Sequence, residues 1–443
     1  MRRSVFHLMA GQNAGAYPKS FRHAVVETPV FSVSAADRRR ELARVLLVGV
    51  LCLQGLIAGC ATPRRMAAVP SALTAQAQTL VPDARIFPDR NDPAMTRMML
   101  DSYVRERAWL AKSGQTGPLP PVAYLTISGG GGDGAFGAGL LTGWTASGTR
   151  PSFKLVTGIS TGALIAPFAF LGPAYDPKLA ETYTNVSDSD IFKKRNFTAV
   201  LFSDAMADTA PMGRLVERYI TRELLDAIAV EYARGRLLMV GTTNLDSREP
   251  VYWNMGAIAA STDPGALALF RKIILASAAI PGAFPPVMID VTVNGQRYQE
   301  MHVDGGATRQ VFMYPQTLHL AEVSKAEGAE RQRTLYIIRN ARLDPDWASV
   351  DRRLLSIVNR SVSSLIQTQG MGDLNRIYLT SMRDHIDYNL AYIPSDFTAP
   401  KKSDFDVGYM RPLFERGRQL AEHGYPWRKY PPGYDPADAV KAP

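Results

Sequence analysis

Between residues 122 and 340 the chain alternates short, almost unbroken apolar runs with longer stretches in which apolar side chains recur every three or four positions. The runs VAYLTIS, FKLVTGIS, RLLMVGTTNL and TLYIIRN predict buried strands, and residues 212–232 and 351–369 predict helices. Strands apolar on both faces and separated by helices predict a mostly parallel sheet between two helical layers, a three-layer α/β/α fold. Residues 94–111 show helical spacing and predict a leading helix, after which TGPLPP punctuates. Upstream, residues 61–82 are rich in Ala, Pro and Thr and predict a tether. Beyond residue 394 prolines recur around one short helix at 411–423, which predicts a covering arm or a loose tail.

Charge changes the picture only at the N-terminus. Of the net +9, residues 1–59 supply five charges, with eight Lys/Arg against three Asp/Glu. The remaining basic residues are dispersed and form no cluster with aromatics, which argues against a nucleic-acid partner. Within the first segment the basic stretch RRRELAR precedes the apolar run VLLVGVLCLQGLIA, too short to span a bilayer comfortably, and the small residues of IAGC precede Cys60. This order resembles the bacterial lipobox, although 37 residues stand ahead of the basic cluster; an ordinary membrane anchor or a buried helix are the plainer readings. The resemblance implies lipidation at Cys60 and a periplasm-facing place in the cell envelope. Ala61 lacks the aspartate associated with inner-membrane retention, which tips the expectation to the outer membrane. Cys52 and Cys60 are the two cysteines, so a chain beginning at Cys60 has no internal disulfide, cysteine metal site or cysteine nucleophile. No HExxH is present, and DSD at 188–190 reads as a turn or helix cap, so no metal is expected.

Candidate chemistry begins at SGGGGDGAFGAG, residues 128–139, with seven glycines in twelve positions. From Gly132 it satisfies GxGxxG, a dinucleotide fingerprint, but the next strand ends in VTGISTGA without the acidic residue that would hold a ribose. In that place stands GISTG, a GxSxG between a strand-like and a helix-like run. A sharp strand-to-helix turn exposes its serine, and glycines on either side, Gly158 and Gly162, relieve the crowding. Ser160 alone reads equally as a helix N-cap. If it attacks an acyl carbonyl, the oxyanion needs backbone N–H donors, which glycines at the end of the neighbouring strand supply without a blocking Cβ. The nucleophile also needs a base. After Ser160 the histidines are His302, His319, His385 and His423, and HVDGGAT offers Asp304 at the end of a strand-like run. Asp-Gly-Gly by itself is an ordinary turn. His302 shares a strand face with Asp304 and is the rival base or its partner.

Together these segments resemble the patatin-like phospholipase family, whose glycine-rich motif matches Gly129, Gly131 and Gly134, whose nucleophile motif matches GISTG, and whose Asp-Gly-Gly/Ala motif matches Asp304, Gly305 and Gly306. ASAAIPGAFPPV (276–287) and TTNLDSREPVYW (242–253) also fit its habits. The resemblance implies a patatin-like α/β/α fold and a Ser160–Asp304 dyad without histidine, metal or organic cofactor. It departs at Asp133, where the family carries Lys or Arg; a carboxylate 6–8 Å away would oppose an oxyanion by about 2 kcal/mol at an effective dielectric near 20.

The expected domains are an extension with a lipoprotein signal (1–59), a tether and leading helix (60–118), a catalytic domain (119–393) and a Pro-rich arm (394–443). The expected activity is hydrolysis of fatty acyl esters through an acyl-enzyme on Ser160, the oxyanion held by the glycine loop, with Gly129, Gly130, Gly131 and Gly134 as its expected donors, and with membrane lipid as substrate. Acyl transfer with the same dyad, a catalytically weak envelope lipid-binding protein and a nucleotide-dependent enzyme are the alternatives. The sequence sets neither head group, acyl length nor oligomeric state.

Overall fold

The computed structural model describes residues 39–40, 42–49, 65–90, 93–115, 117–195 and 203–434. Contacts divide the chain into units 1–61 and 62–443. In the first unit the described residues are helical and exposed; Cys52 and Cys60 lie outside the described residues. Among the described residues no helix is long and apolar enough to cross a membrane.

In the second unit β1 (Arg85–Ile86) and α1 (Ala94–Lys112) precede β2 (Val122–Ile127), α2 (Gly134–Ala146), β3 (Phe153–Ile159), α3 (Thr161–Leu171) and α4 (Asp176–Thr184). A short α5 (Asp188–Ile191) and a ribbon of β4 (Lys193–Lys194) with β5 (Ala207–Asp208) lead to α6 (Ala210–Tyr219) and α7 (Arg222–Ala233). There follow β6 (Leu237–Asn244), β7 (Glu249–Asn254), α8 (Met255–Ala259), α9 (Ala266–Ser277), β8 (Val287–Val293) and β9 (Gln296–Asp304). The chain closes with α10 (Leu320–Ala326), β10 (Arg333–Arg339), α11 (Leu354–Arg383), β11 (Ile386–Tyr392) and α12 (Val407–Glu422).

The central sheet runs β1-β7-β6-β3-β2-β10-β11, with β9 on β6 and β8 on β9. From β6 to β11 every pairing is parallel, while β7, β1, β9 and β8 add antiparallel strands beside β6. Alternation sorts the parallel strands' side chains to two sides: Leu125, Ile127, Val156 and Val240 join the core beneath α2, α3, α9 and α12, while Tyr124, Leu155, Met239 and Ile337 join the core beneath α1, α10 and α11. The mixed α/β architecture with a mostly parallel sheet is the one the apolar pattern predicts.

Local outcomes differ in instructive ways. The single helix expected at 212–232 is two, because the chain turns at Ile220 and Thr221 Oγ1 accepts from Leu224 N to start α7 (3.4 Å). The helix expected to end near 369 continues to Arg383, since Gly370 gives room to the buried Arg339 guanidinium rather than a stop. DSD opens α5 as a cap, with Ser187 and Asp190 bonding reciprocally. Residues 395–434 are no loose tail. A Cβ at Gly139 or Gly143 of α2 would overlap the carbonyls of Phe414 and Arg418, so α12 lies flush on α2.

Candidate active site

Strand β6 brings the site together. Its pairing with β3 ends at Ile159 opposite Gly241, and from Thr242 onward β9 takes over the same edge, with Asp304 opposite Thr242. Ser160, one residue past β3, and Asp304, the last residue of β9, therefore become neighbours.

The bend at Ser160 is possible only with glycines around it: a Cβ at Gly158 would overlap the Gly162 carbonyl, and one at Gly162 the Ile127 carbonyl. Ser160 itself has φ 55° and ψ −123°, a strained conformation for a residue with a side chain. Two buried bonds hold it: Ser160 N–H donates to Ser277 Oγ (3.0 Å), whose hydroxyl donates to the Gly241 carbonyl (2.7 Å). The Ser160 side chain caps no helix N–H, which removes the capping alternative. It lies instead beside the Asp304 carboxylate, whose pKa it lowers, and the residue is 8% exposed.

Asp304 is buried, and burial pushes its carboxyl up to about 6, against the opposing pull of the Ser160 hydroxyl and the Gly306 N–H, which donates to Oδ1 (2.7 Å). The two glycines make that turn fit: a Cβ at Gly305 would meet the Gly241 carbonyl at 2.5 Å, and one at Gly306 would meet Gln310 Nε2 at 2.8 Å. A carboxyl poised near 6 is mostly charged at neutral pH and can still accept a proton.

The glycine loop lies against Ser160, a Cβ at Gly129 falling 3.2 Å from Ser160 Cβ. Its amides divide. Gly129 N–H donates to the Gln310 carbonyl (3.0 Å), and Gly134 N–H is spent on the carbonyls of Gly131 and Gly132. That takes both from the set of expected donors and leaves Gly130 and Gly131, whose N–H groups make no hydrogen bond among the described residues. Gly130 has no room for a side chain, since its Cβ would overlap the Asn340 carbonyl. Asn340 is the clamp. Its N–H donates to Ser128 Oγ (2.8 Å), its amide to Ser128 O (3.0 Å), and its Oδ1 accepts Gly137 N–H (3.1 Å).

Asp133 does not face the nucleophile unpaired. Lys401 Nζ meets its Oδ1 at 3.0 Å, so the reversed charge is answered by a cation from the C-terminal segment. The structure also keeps His302 out of the site. Fully buried, it accepts at Nδ1 from Thr242 Oγ1 (2.9 Å), which itself accepts from Trp253 Nε1 (2.8 Å). Its Nε2 faces Glu300 Oε2 (3.2 Å), which Arg85 Nη1 also holds (2.5 Å). Burial lowers the imidazole pKa, with Glu300 opposing, so the ring is a neutral link in a core network.

An apolar pocket opens beside Thr161, the residue after Ser160, lined by Leu164, Phe168, Met212, Val216, Phe405 and Met410. Phe168 of α3 reaches this pocket, while Ala166, Ala169 and Phe170 are core. A larger polar cleft among Arg309, Asp373 and Arg376 contains neither Ser160 nor Asp304. Among the described residues no group of three or more His, Cys, Asp or Glu could hold a metal ion.

Ser277, Gln310 and Asn340 escaped the reading of the sequence. Each is a polar residue in or next to an apolar run, the one signal a sequence offers for a buried bracket.

A GxSxG turn at the end of β3, a carboxylate at the end of β9 on the same edge of β6, and a glycine loop thus come together at one place. Residues 125–313 match the patatin-like phospholipase family, and the chain therefore carries a patatin-like phospholipase domain. No curated protein matches the chain. Among solved structures it is similar to VipD from Legionella pneumophila, at 12% identity over 67% of each chain and a TM-score of 0.31.

Proposed function

We propose that the protein hydrolyses fatty acyl esters of membrane lipids through an acyl-enzyme on Ser160, with Asp304 as the base. As Ser160 Oγ attacks the ester carbonyl, its proton passes to Asp304 and the carbonyl oxygen takes up negative charge beside the Gly130 and Gly131 N–H groups. Collapse breaks the ester C–O bond, and Asp304 returns the proton to the leaving alcohol. Asp304 then takes a proton from water, which attacks the acyl-enzyme, and the carboxylic acid leaves as Ser160 regains its proton. The pocket beside Thr161 accepts the start of the acyl chain, where Leu164 and Phe168 offer contacts to methylenes. The convergence of Ser160, Asp304 and the glycine loop at one edge of β6 carries this reading.

The protein is further proposed to sit at the cell envelope on a lipid attached to Cys60. The reaction is tested by product analysis on phospholipid vesicles, with and without an added alcohol. Free fatty acid from the wild type and none from Ser160→Ala is the expected result. Products dominated by the alcohol's ester would make it an acyltransferase, and no turnover at all would overturn the enzymatic reading.

A further inference from the structure

The first four turns of α11 are amphipathic with their sides reversed. The polar side faces the protein: Arg360 Nη1 reaches Asp346 Oδ2 (3.1 Å), and Gln367 Nε2 donates to the carbonyls of Arg342 (3.1 Å) and Leu343 (3.4 Å). The apolar side, Leu354, Ile357, Val358, Val362, Leu365 and Ile366, faces solvent, with Leu354 76% and Leu365 69% exposed. At about 100° per residue these six side chains fall within one half of the helix surface. Trp347, just upstream, is 90% exposed. Arg352 and Arg353, at the start of the helix, are exposed and make no ion pair among the described residues.

The position of this face matters as much as its composition. Gly370 packs on Arg339, the last residue of β10, Asp373 Oδ2 accepts the Gln310 N–H (2.6 Å), and Tyr378 packs edge-on against Tyr388 of β11. The helix thus runs antiparallel to β10 and β11. The turns before Gly370 project roughly 24 Å beyond the carboxyl ends of the parallel strands at 1.5 Å per residue. That is the end at which β2 delivers the glycine loop and β3 delivers Ser160.

We propose that this face docks on an anionic lipid bilayer and holds the mouth of the site against it; the choice of a lipid partner rests on reading the site as a lipid-ester hydrolase. An aliphatic stripe, an exposed tryptophan and arginines without an ion pair among the described residues make up the composition that settles at a lipid interface, the arginines answering negative head groups. A second copy of the chain is a poorer occupant. A stripe about 19 Å long and one helix wide offers about 200 Å², a quarter of the roughly 800 Å² that each partner of a stable dimer buries.

The test uses the full chain carrying Cys52→Ser and Cys60→Ser, with one new cysteine labelled by a polarity-sensitive dye: Val362→Cys within the stripe, or Ser363→Cys at an exposed position outside it. With phosphatidylglycerol vesicles the dye at 362 should shift to the blue and the dye at 363 should not, with a weaker response to phosphatidylcholine. An equal response at both positions, no response at 362, or a shift at 362 that follows protein concentration without vesicles would overturn the proposal. Leu354→Glu with Leu365→Glu should lower hydrolysis of vesicle lipid at least ~10-fold and leave a water-soluble short-chain ester unaffected. Equal loss on both substrates, or none on either, would contradict docking. A wild type that turns over neither ester would sink the hydrolase reading, while the dye response would still decide the docking.

Discussion

Ser160 and Asp304 stand side by side along one edge of β6, each at the end of its own strand, because β9 takes over that edge where β3 leaves it. The meeting is built into backbone register. Side-chain changes that leave the sheet intact should therefore alter the chemistry without moving the two groups apart.

The pH dependence follows from burial. With the Asp304 carboxyl near 6 in the folded protein, kcat/KM should rise with pH through about 6 and then level off, as protonated Asp304 cannot accept the hydroxyl's proton. A profile flat from pH 5 to 8 would contradict this.

The same shift has a stability consequence of opposite benefit. The folded pKa lies above the ordinary carboxyl value of 3.8, so the contribution to stability is complete below about pH 4 and is lost as pH rises through 6. A raise of about two units corresponds to roughly 3 kcal/mol. Asp304→Asn, which removes the charge, should therefore melt several degrees above the wild type at pH 8 and lose that advantage near pH 4, while being inactive at both.

His302→Gln should separate structure from catalysis. With both ring nitrogens committed to Thr242 and Glu300, the change should cost about 1–3 kcal/mol of stability by leaving buried partners unsatisfied. Activity below the melting range should stay within a few-fold of wild type. Loss comparable to Ser160→Ala would make His302 part of the reaction.

For the glycine loop, Gly130→Ala forces a Cβ into the Asn340 carbonyl and should lower kcat by about 10²–10³, the usual cost of a lost oxyanion donor. Asn340→Ala, which removes the two side-chain bonds at the loop's base, should lower both kcat and melting temperature. Asp133→Asn removes a half-exposed pair with Lys401, worth about 0–1 kcal/mol, and should change kcat by no more than about threefold.

Much of this was legible before any coordinates. The alternation of apolar runs predicts the parallel sheet, because strands buried on both faces have no polar side. GISTG and HVDGGAT announce tight bends, because glycine there has a steric cause. What the pattern does not carry is contact between distant segments. Nothing in SGGGGDG tells which amides remain free, since Gly129 is spent on Gln310. The cation that meets Asp133 comes from Lys401, far along the chain. His302 shares a strand face with Asp304, as alternation requires, yet a neighbouring Glu300 and Thr242 claim its ring. The length of α11 was hidden for a similar reason: Gly370 looks like a helix stop until Arg339 is seen to need its space.

The central claim, that Asp304 activates Ser160, is tested most directly by the rate of covalent labelling with a fluorophosphonate, followed by intact mass. One adduct should form on the wild type, none on Ser160→Ala, and Asp304→Asn should react at least ~100-fold more slowly although correctly folded. Labelling of Asp304→Asn at the wild-type rate, or an adduct on Ser160→Ala, would contradict it.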